Sequence, residues 1–192
     1  MQVLDEELAK LEKNPLKGLI IDVRGNPGGL LDSASEMLSR FAENKIVCKM
    51  RMRGAKEEVV YTYPGFVKDF GYPVVVLVDE NSASAAEIFA GALKDYRLAT
   101  LVGDHTYGKA SVQNVFELKD EASAKITIAR YYLPFNGDIS RKVDSDGQYI
   151  SGGLEPDVLV EIDDSELGLE FGNPDKDPQL MKAIEVIQTK GN

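Results

Sequence analysis

The chain has no tryptophan, one cysteine, one histidine and eight prolines among its 192 residues. A single Cys48 can form no internal disulfide and no cysteine-based zinc cluster, and its place in an alternating stretch marks it as a buried strand position. With His105 alone, a Ser-His-Asp arrangement has one candidate base. No apolar run reaches the ~18–20 residues needed to cross a bilayer. The opening Met1-Gln-Val-Leu-Asp-Glu-Glu7 lacks the marks of a signal peptide, so the chain as it stands is expected to be soluble. Basic side chains are in deficit, 22 Lys and Arg against 32 Asp and Glu, for a net charge of −10. No Lys/Arg stripe escapes that average, and nucleic acid is not an expected partner.

What is present is a globular composition, 43% hydrophobic and 28% charged with 17 glycines, enough for one main domain. Leu4, Leu8 and Leu11 recur at helical spacing until Asn14-Pro15, which predicts an amphipathic helix over 2–13. Lys17–Val23 reads as a buried strand, and Arg24-Gly-Asn-Pro-Gly-Gly29 as a tight loop. Leu30, Leu31, Ala34, Met37, Leu38 and Phe41 then form one helical stripe, and Ile46 to Arg53 alternate as a strand, a first strand–helix–strand unit. The unbroken apolar run Pro73–Asp79 suits a strand covered on both faces. A helix near 84–96 and a strand over Leu98–Gly103 complete a second unit. Beyond it, 112–118 and 124–133 read as a strand pair, 136–153 as a loop or hairpin excursion, Asp157–Ile162 as a strand and Gln179–Gln188 as a closing helix. The expected class is α/β, with some parallel pairing.

Ser84 falls where an apolar strand turns into a helix, within Asn81-Ser-Ala-Ser-Ala-Ala-Glu-Ile88. Ser84-Ala-Ala-Glu87 fits a capping box, in which the hydroxyl accepts a helical N–H and the Glu reaches back, stabilising by about 1 kcal/mol. The same position suits a nucleophile, because a helix N-terminus offers unpaired N–H groups to an oxyanion formed beside it. Such a serine needs a base: His105, or a lysine in its neutral form. Lys109, in Gly103-Asp-His-Thr-Tyr-Gly-Lys-Ala-Ser-Val-Gln113, is either that base or an ordinary solvated loop lysine.

Four ordered stretches bear on the choice: Lys17–Leu30, Ser82–Leu93, Tyr107–Gln113 and Gly153-Leu-Glu-Pro-Asp157. Together they resemble the carboxyl-terminal processing, or tail-specific, serine proteases. The resemblance implies a crotonase- or Clp-protease-like α/β core of strand–helix–strand units, with a mixed sheet, C-terminal strands and a closing helix. It implies Ser84 as nucleophile, Lys109 as base 25 residues later, and Gln113, about one helical turn further on, orienting Lys109. Gly28, Gly29 and the backbone N–H of Ala85 would form the oxyanion hole, and His105 matches no catalytic position. No metal or cofactor is implied. The implied substrates are extended C-terminal tails of proteins, held by strand-like pairing, and the parent protein is expected to be exported.

The resemblance also sets expectations by its departures. The family carries a helical region, a PDZ domain and a core strand ahead of the part matched here, so residues 1–192 are expected to be a single truncated catalytic core. An unpaired sheet edge would then favour homo-oligomers. The 136–153 segment is longer than the family's usual link, and Ala86 stands where a serine is frequent. Repeats of the interphotoreceptor retinoid-binding protein, related in fold, bind apolar ligands without proteolysis. A binding module and an inert fragment therefore remain the other readings.

Overall fold

The computed structural model describes residues 2–120, 122–135, 137–162 and 170–191, so Asn136, at the head of the expected 136–153 excursion, lies outside the described residues. A helix α1 (Gln2–Leu11) leads to strand β1 (Leu19–Asp22), helix α2 (Leu31–Leu38) and strands β2 (Ile46–Met52), β3 (Glu58–Tyr61) and β4 (Val74–Val78). Helix α3 (Ala85–Asp95), strands β5 (Thr100–Gly103), β6 (Ser111–Glu117) and β7 (Ser123–Tyr132), a short hairpin β8 (Lys142–Val143) and β9 (Tyr149–Ser151), strand β10 (Val158–Leu159) and helix α4 (Pro178–Lys190) follow.

Two four-stranded sheets organise the chain. One runs β1-β4-β5-β10 with every neighbouring pair parallel. The other runs β3-β2-β7-β6 with every pair antiparallel. The expected mixture of parallel and antiparallel pairing is therefore present but segregated. The second strand–helix–strand unit closes as expected, since β4 and β5 flank α3 and pair in parallel. The first does not: β2 leaves α2 for the antiparallel sheet, where it pairs with β3 and β7 and not with β1.

β4 shows why an unbroken apolar run was needed. Its alternate residues serve two cores, Val74, Val76 and Val78 with Phe89, Leu93 and Leu38 of α3 and α2, and Val75 and Leu77 with Ala183 and Ile187 of α4. All five are buried. At roughly 1.5–3 kcal/mol per buried aliphatic side chain, this strand anchors both layers. Tyr131 of β7 and Leu133 join the larger core and bind the second sheet to α3.

Candidate active site

β1, β4 and β5 are adjacent and parallel, so the loops leaving their carboxyl ends, 24–30, 79–84 and 104–110, meet at one end of the sheet. Crevices outside the carboxyl ends of parallel strands are where open α/β sheets place ligands. Here the three loops are laced together. Gly25 N–H donates to both carboxylate oxygens of Asp79 at 2.9 and 3.0 Å, and Ala83 N–H donates to the Asn26 carbonyl at 2.9 Å. The Ser82 hydroxyl donates to the Val23 carbonyl at 2.8 Å, and Tyr107 N–H donates to the Ser82 carbonyl at 3.0 Å.

Ser84 precedes the first residue of α3 with φ 57° and ψ −120°, a conformation sparsely populated by non-glycine residues and costing about 1–3 kcal/mol. Its N–H donates to Glu87 Oε2 at 2.9 Å, so the glutamate half of the capping box is formed. The reciprocal approach of the Ser84 hydroxyl to the Glu87 N–H has the arrangement of the box without the geometry of a cap hydrogen bond. Gly28 is packed on this turn: with φ 95°, a Cβ there would lie 2.6 Å from the Ala83 carbonyl oxygen, 2.7 Å from Ser84 Cβ and 2.8 Å from Ala85 N. Only glycine fits. Gly28 N–H is taken by Asn26 Oδ1 at 2.9 Å, whereas among the described residues no hydrogen bond holds the N–H of Gly29 or Ala85. Of the three expected oxyanion-hole groups, Gly29 and Ala85 are thus the available donors.

Glu87 ties the serine turn to the lysine loop. Its carboxylate is fully buried and accepts the Thr106 hydroxyl at 2.6 Å, Gly108 N–H at 2.7 Å and Lys109 N–H at 2.9 Å, besides the Ser84 N–H. Gly108 must be glycine, since its φ is 84° and a Cβ would lie 2.8 Å from Gly153 N and 2.9 Å from Arg141 N. The buried Tyr131 hydroxyl donates to the Lys109 carbonyl and, at 3.4 Å, to the Ser84 carbonyl. Burial beside Glu87 pushes the Tyr131 phenol well above its ordinary pKa, so it stays a donor. Sequence reasoning credited Glu87 only with the helix cap and gave Tyr131 no role. A glutamate within the otherwise apolar run Ala85–Leu93 was the available signal; for Tyr131 there was none beyond its place in a strand.

Ser84, Ala85, Gly29, Lys109 and Gln113 line one hollow of about 300 Å³, whose wall includes Leu30, Cys48, Met50 and Ile88. It adjoins a cleft of about 720 Å³ bordered by Tyr107, Lys109, Ser111, Gln113 and Lys125. Lys109 is half-buried. Among the described residues no hydrogen bond joins the Lys109 ammonium to the Ser84 hydroxyl or to Gln113. Gln113 lies on strand β6, not a helical turn beyond Lys109, because the chain is extended from Ser111 onward. Its amide donates to Thr127 Oγ1 at 3.4 Å. His105 stands apart, with Nδ1 3.3 Å from Asp104 Oδ1 and its ring near Tyr149. Cys48 is fully buried in β2, and burial, with Glu58 nearby, pushes its thiol up to about 12, which keeps it protonated and unreactive. No group of three or more His, Cys, Asp or Glu side chains able to hold a metal is found among the described residues.

A probable CtpA-like serine protease of Staphylococcus aureus is 38% identical over 161 residues, 82% of this chain and 30% of that protein. A carboxy-terminal-processing protease of Bartonella bacilliformis is 36% identical over 156 residues, 80% of this chain and 33% of that protein. The chain thus spans about a third of the length of these relatives. Among solved structures, the photosystem II D1 C-terminal processing protease superposes with a TM-score of 0.67 at 30% identity, covering 80% of this chain and 37% of that one. A peptidase-like protein of Parabacteroides merdae shares the fold with a TM-score of 0.68 at 24% identity, covering 96% and 55%. The model of peptidase family S41 matches residues 1–160, and the chain belongs to that family.

Proposed function

We propose that this chain is the catalytic core of a serine peptidase in which Ser84 is the nucleophile and Lys109 the general base. The observation that carries this reading is the convergence, around one hollow, of a strained serine at a helix N-terminus, two uncommitted N–H groups and a lysine whose backbone is fixed to the same buried carboxylate as the serine's. The neutral amine of Lys109 takes the Ser84 hydroxyl proton as Oγ attacks the peptide carbonyl, and the oxyanion is held by the N–H groups of Gly29 and Ala85. The lysine ammonium protonates the departing amine, leaving an ester on Ser84. Water, deprotonated by Lys109, then releases the acid and restores the enzyme. Gln113, on the wall of the same hollow and bonded at rest to Thr127, has the role of orienting Lys109 in this reading.

β6 is the outer strand of its sheet, and Ser111, Val112 and Gln113 of that strand line the hollow. An extended protein tail adding a strand there would present its backbone to Ser84, which favours unfolded C-terminal segments as substrates. The resemblance to the tail-specific proteases favours action outside the cytoplasm. A ligand-binding module would use the same apolar wall but has no use for a strained serine.

A fluorophosphonate should label Ser84, and Ser84→Ala and Lys109→Ala should both abolish cleavage of an unfolded protein. Lys109→Arg should be equally inactive, because a guanidinium stays protonated and cannot accept the serine proton. Activity should rise with pH, since the base works unprotonated, and His105→Ala should stay active. Cleavage that survives in Lys109→Ala and disappears in His105→Ala would overturn the assignment.

A further inference from the structure

Acidic residues outnumber basic ones across the chain, 32 to 22, yet neither the 720 Å³ cleft nor the 300 Å³ hollow has an aspartate or glutamate in its lining. Both have the same two cations, Lys109 and Lys125. If Lys109 works as a neutral base, Lys125 is the standing positive charge of the catalytic cleft. It projects from β7 opposite Val115 of β6, on the face of the hairpin that also carries Gln113 and Thr127. Glu117, next along that face toward the hairpin tip, makes no ion pair with it, and among the described residues Lys125 has no acidic partner. Its three N–H donors are therefore available to a ligand, beside the Ser111 hydroxyl and the Gln113 amide.

We infer that Lys125 binds a carboxylate of the substrate on the leaving side of the scissile bond, so that a preference for chain ends is built into the catalytic cleft itself. This rests on the peptidase reading. The terminal carboxylate of a protein lies, by the direction of the chain, on the leaving side of any bond cut near its end. Ser84 and Lys125 line the same hollow, so a carboxylate a few extended residues of ~3.3 Å each beyond the bond is within reach of the Lys125 ammonium. An Asp or Glu side chain in the same stretch offers the same group. An exposed ammonium–carboxylate contact of this kind corresponds to about a two- to fivefold preference and weakens as salt screens it.

The test uses fluorogenic peptides matched in sequence, ending in a free acid or an amide, and carrying either Asn or Asp on the leaving side. The wild-type chain should show a kcat/KM about two- to fivefold higher for the carboxylate-bearing members at low salt, shrinking at 0.5 M salt. Lys125→Gln should bring that ratio to about one, whereas Lys182→Gln, the same charge change on α4, should leave it as in the wild type. A gain from the free acid identifies the chain end as the ligand, and a gain from Asp identifies a side chain; either supports the inference. The same peptides are titrated onto Ser84→Ala by fluorescence anisotropy, with and without Lys125→Gln, so the answer does not depend on turnover. Equal ratios in the presence and absence of Lys125 overturn carboxylate recognition. An absence of both labelling and cleavage in the wild type would overturn the peptidase reading instead, with the anisotropy ratios still deciding the role of Lys125.

Discussion

Ser84 pays in backbone strain for the direction of its hydroxyl, and the surrounding bonds hold it there: its N–H on Glu87, its carbonyl near Tyr131, and Gly28 pressed against its Cβ. Because the hydroxyl makes no firm cap bond, Ser84→Ala should lose less than the ~1 kcal/mol of an ordinary N-cap removal. Ser84→Gly should unfold at higher urea, stabilised by about 1 kcal/mol through relief of the positive φ, while losing all activity. A glycine variant less stable than the wild type would show that the turn is not strained. The candidate nucleophile and base could be picked from the motifs by resemblance alone. The Glu87 hub could not, since S-x-x-E predicts one bond back to the serine, and the other three acceptor contacts arise from a loop that starts 17 residues later.

At the level of elements, the glycine loop 24–30 is fixed from below by Arg24. Its guanidinium is almost wholly buried and donates to Asp177 at 2.8 and 2.9 Å, to Asp22 at 2.7 Å and to Gln179 at 3.0 Å, with the Phe171 ring 4.6 Å away. Asp177 also caps α4 through the Leu180 N–H, so one buried pair joins the last helix to the loop that carries Gly28 and Gly29. Burial alone would raise the Asp177 carboxyl; Arg24 and the N–H groups of Gly172 and Leu180 outweigh it and hold the group below its ordinary value. A depressed carboxyl contributes stability that is present above its unfolded pKa of roughly 3.9 and is lost as pH falls through the lower folded value. Thermal melts should show a fall below pH 4 that is shallower in Asp177→Asn. Arg24→Met, which strands a buried carboxylate, should cost about 3–5 kcal/mol near neutral pH. A wild-type acid slope unchanged by Asp177→Asn would remove this account. Most elements were legible from period and punctuation, α1, β1, α2, β4, α3 and α4 within a few residues. β3 was missed, because Glu58–Tyr61 is a four-residue strand after an Arg53-Gly-Ala-Lys56 turn and has too little alternation to register. Two of its four residues are exposed, and β2 supplies the pairing that defines it.

For the whole molecule, β1 stands at one end of the parallel sheet and pairs only with β4 among the described residues. The β6–β7 hairpin leaves Phe116, Leu118 and Ile126 about half exposed. Edge strands and apolar hairpin faces draw other chains. Light scattering should show a mass that rises with concentration, and a strict monomer throughout the range would dismiss self-association.

Local chemistry determined which segments are helix or strand, where the tight loops fall, and which residue types could act as nucleophile, base and oxyanion donors. These depend on periods of 2 and 3.6, on glycine and proline, and on motifs within a dozen residues. Whether Lys109 returns to Ser84 was left open by the sequence reading, and the parallel pairing of β4 with β5 decides it: the carboxyl end of β5 must lie beside the carboxyl end of β4, where α3 begins. The assignment of β2 to the antiparallel sheet, the burial of Glu87 among four donors and the turn of Lys125 into the cleft were likewise decided by tertiary structure. Each is a contact between residues distant in sequence, and a pattern confined to one segment carries no record of which other segment will cover it.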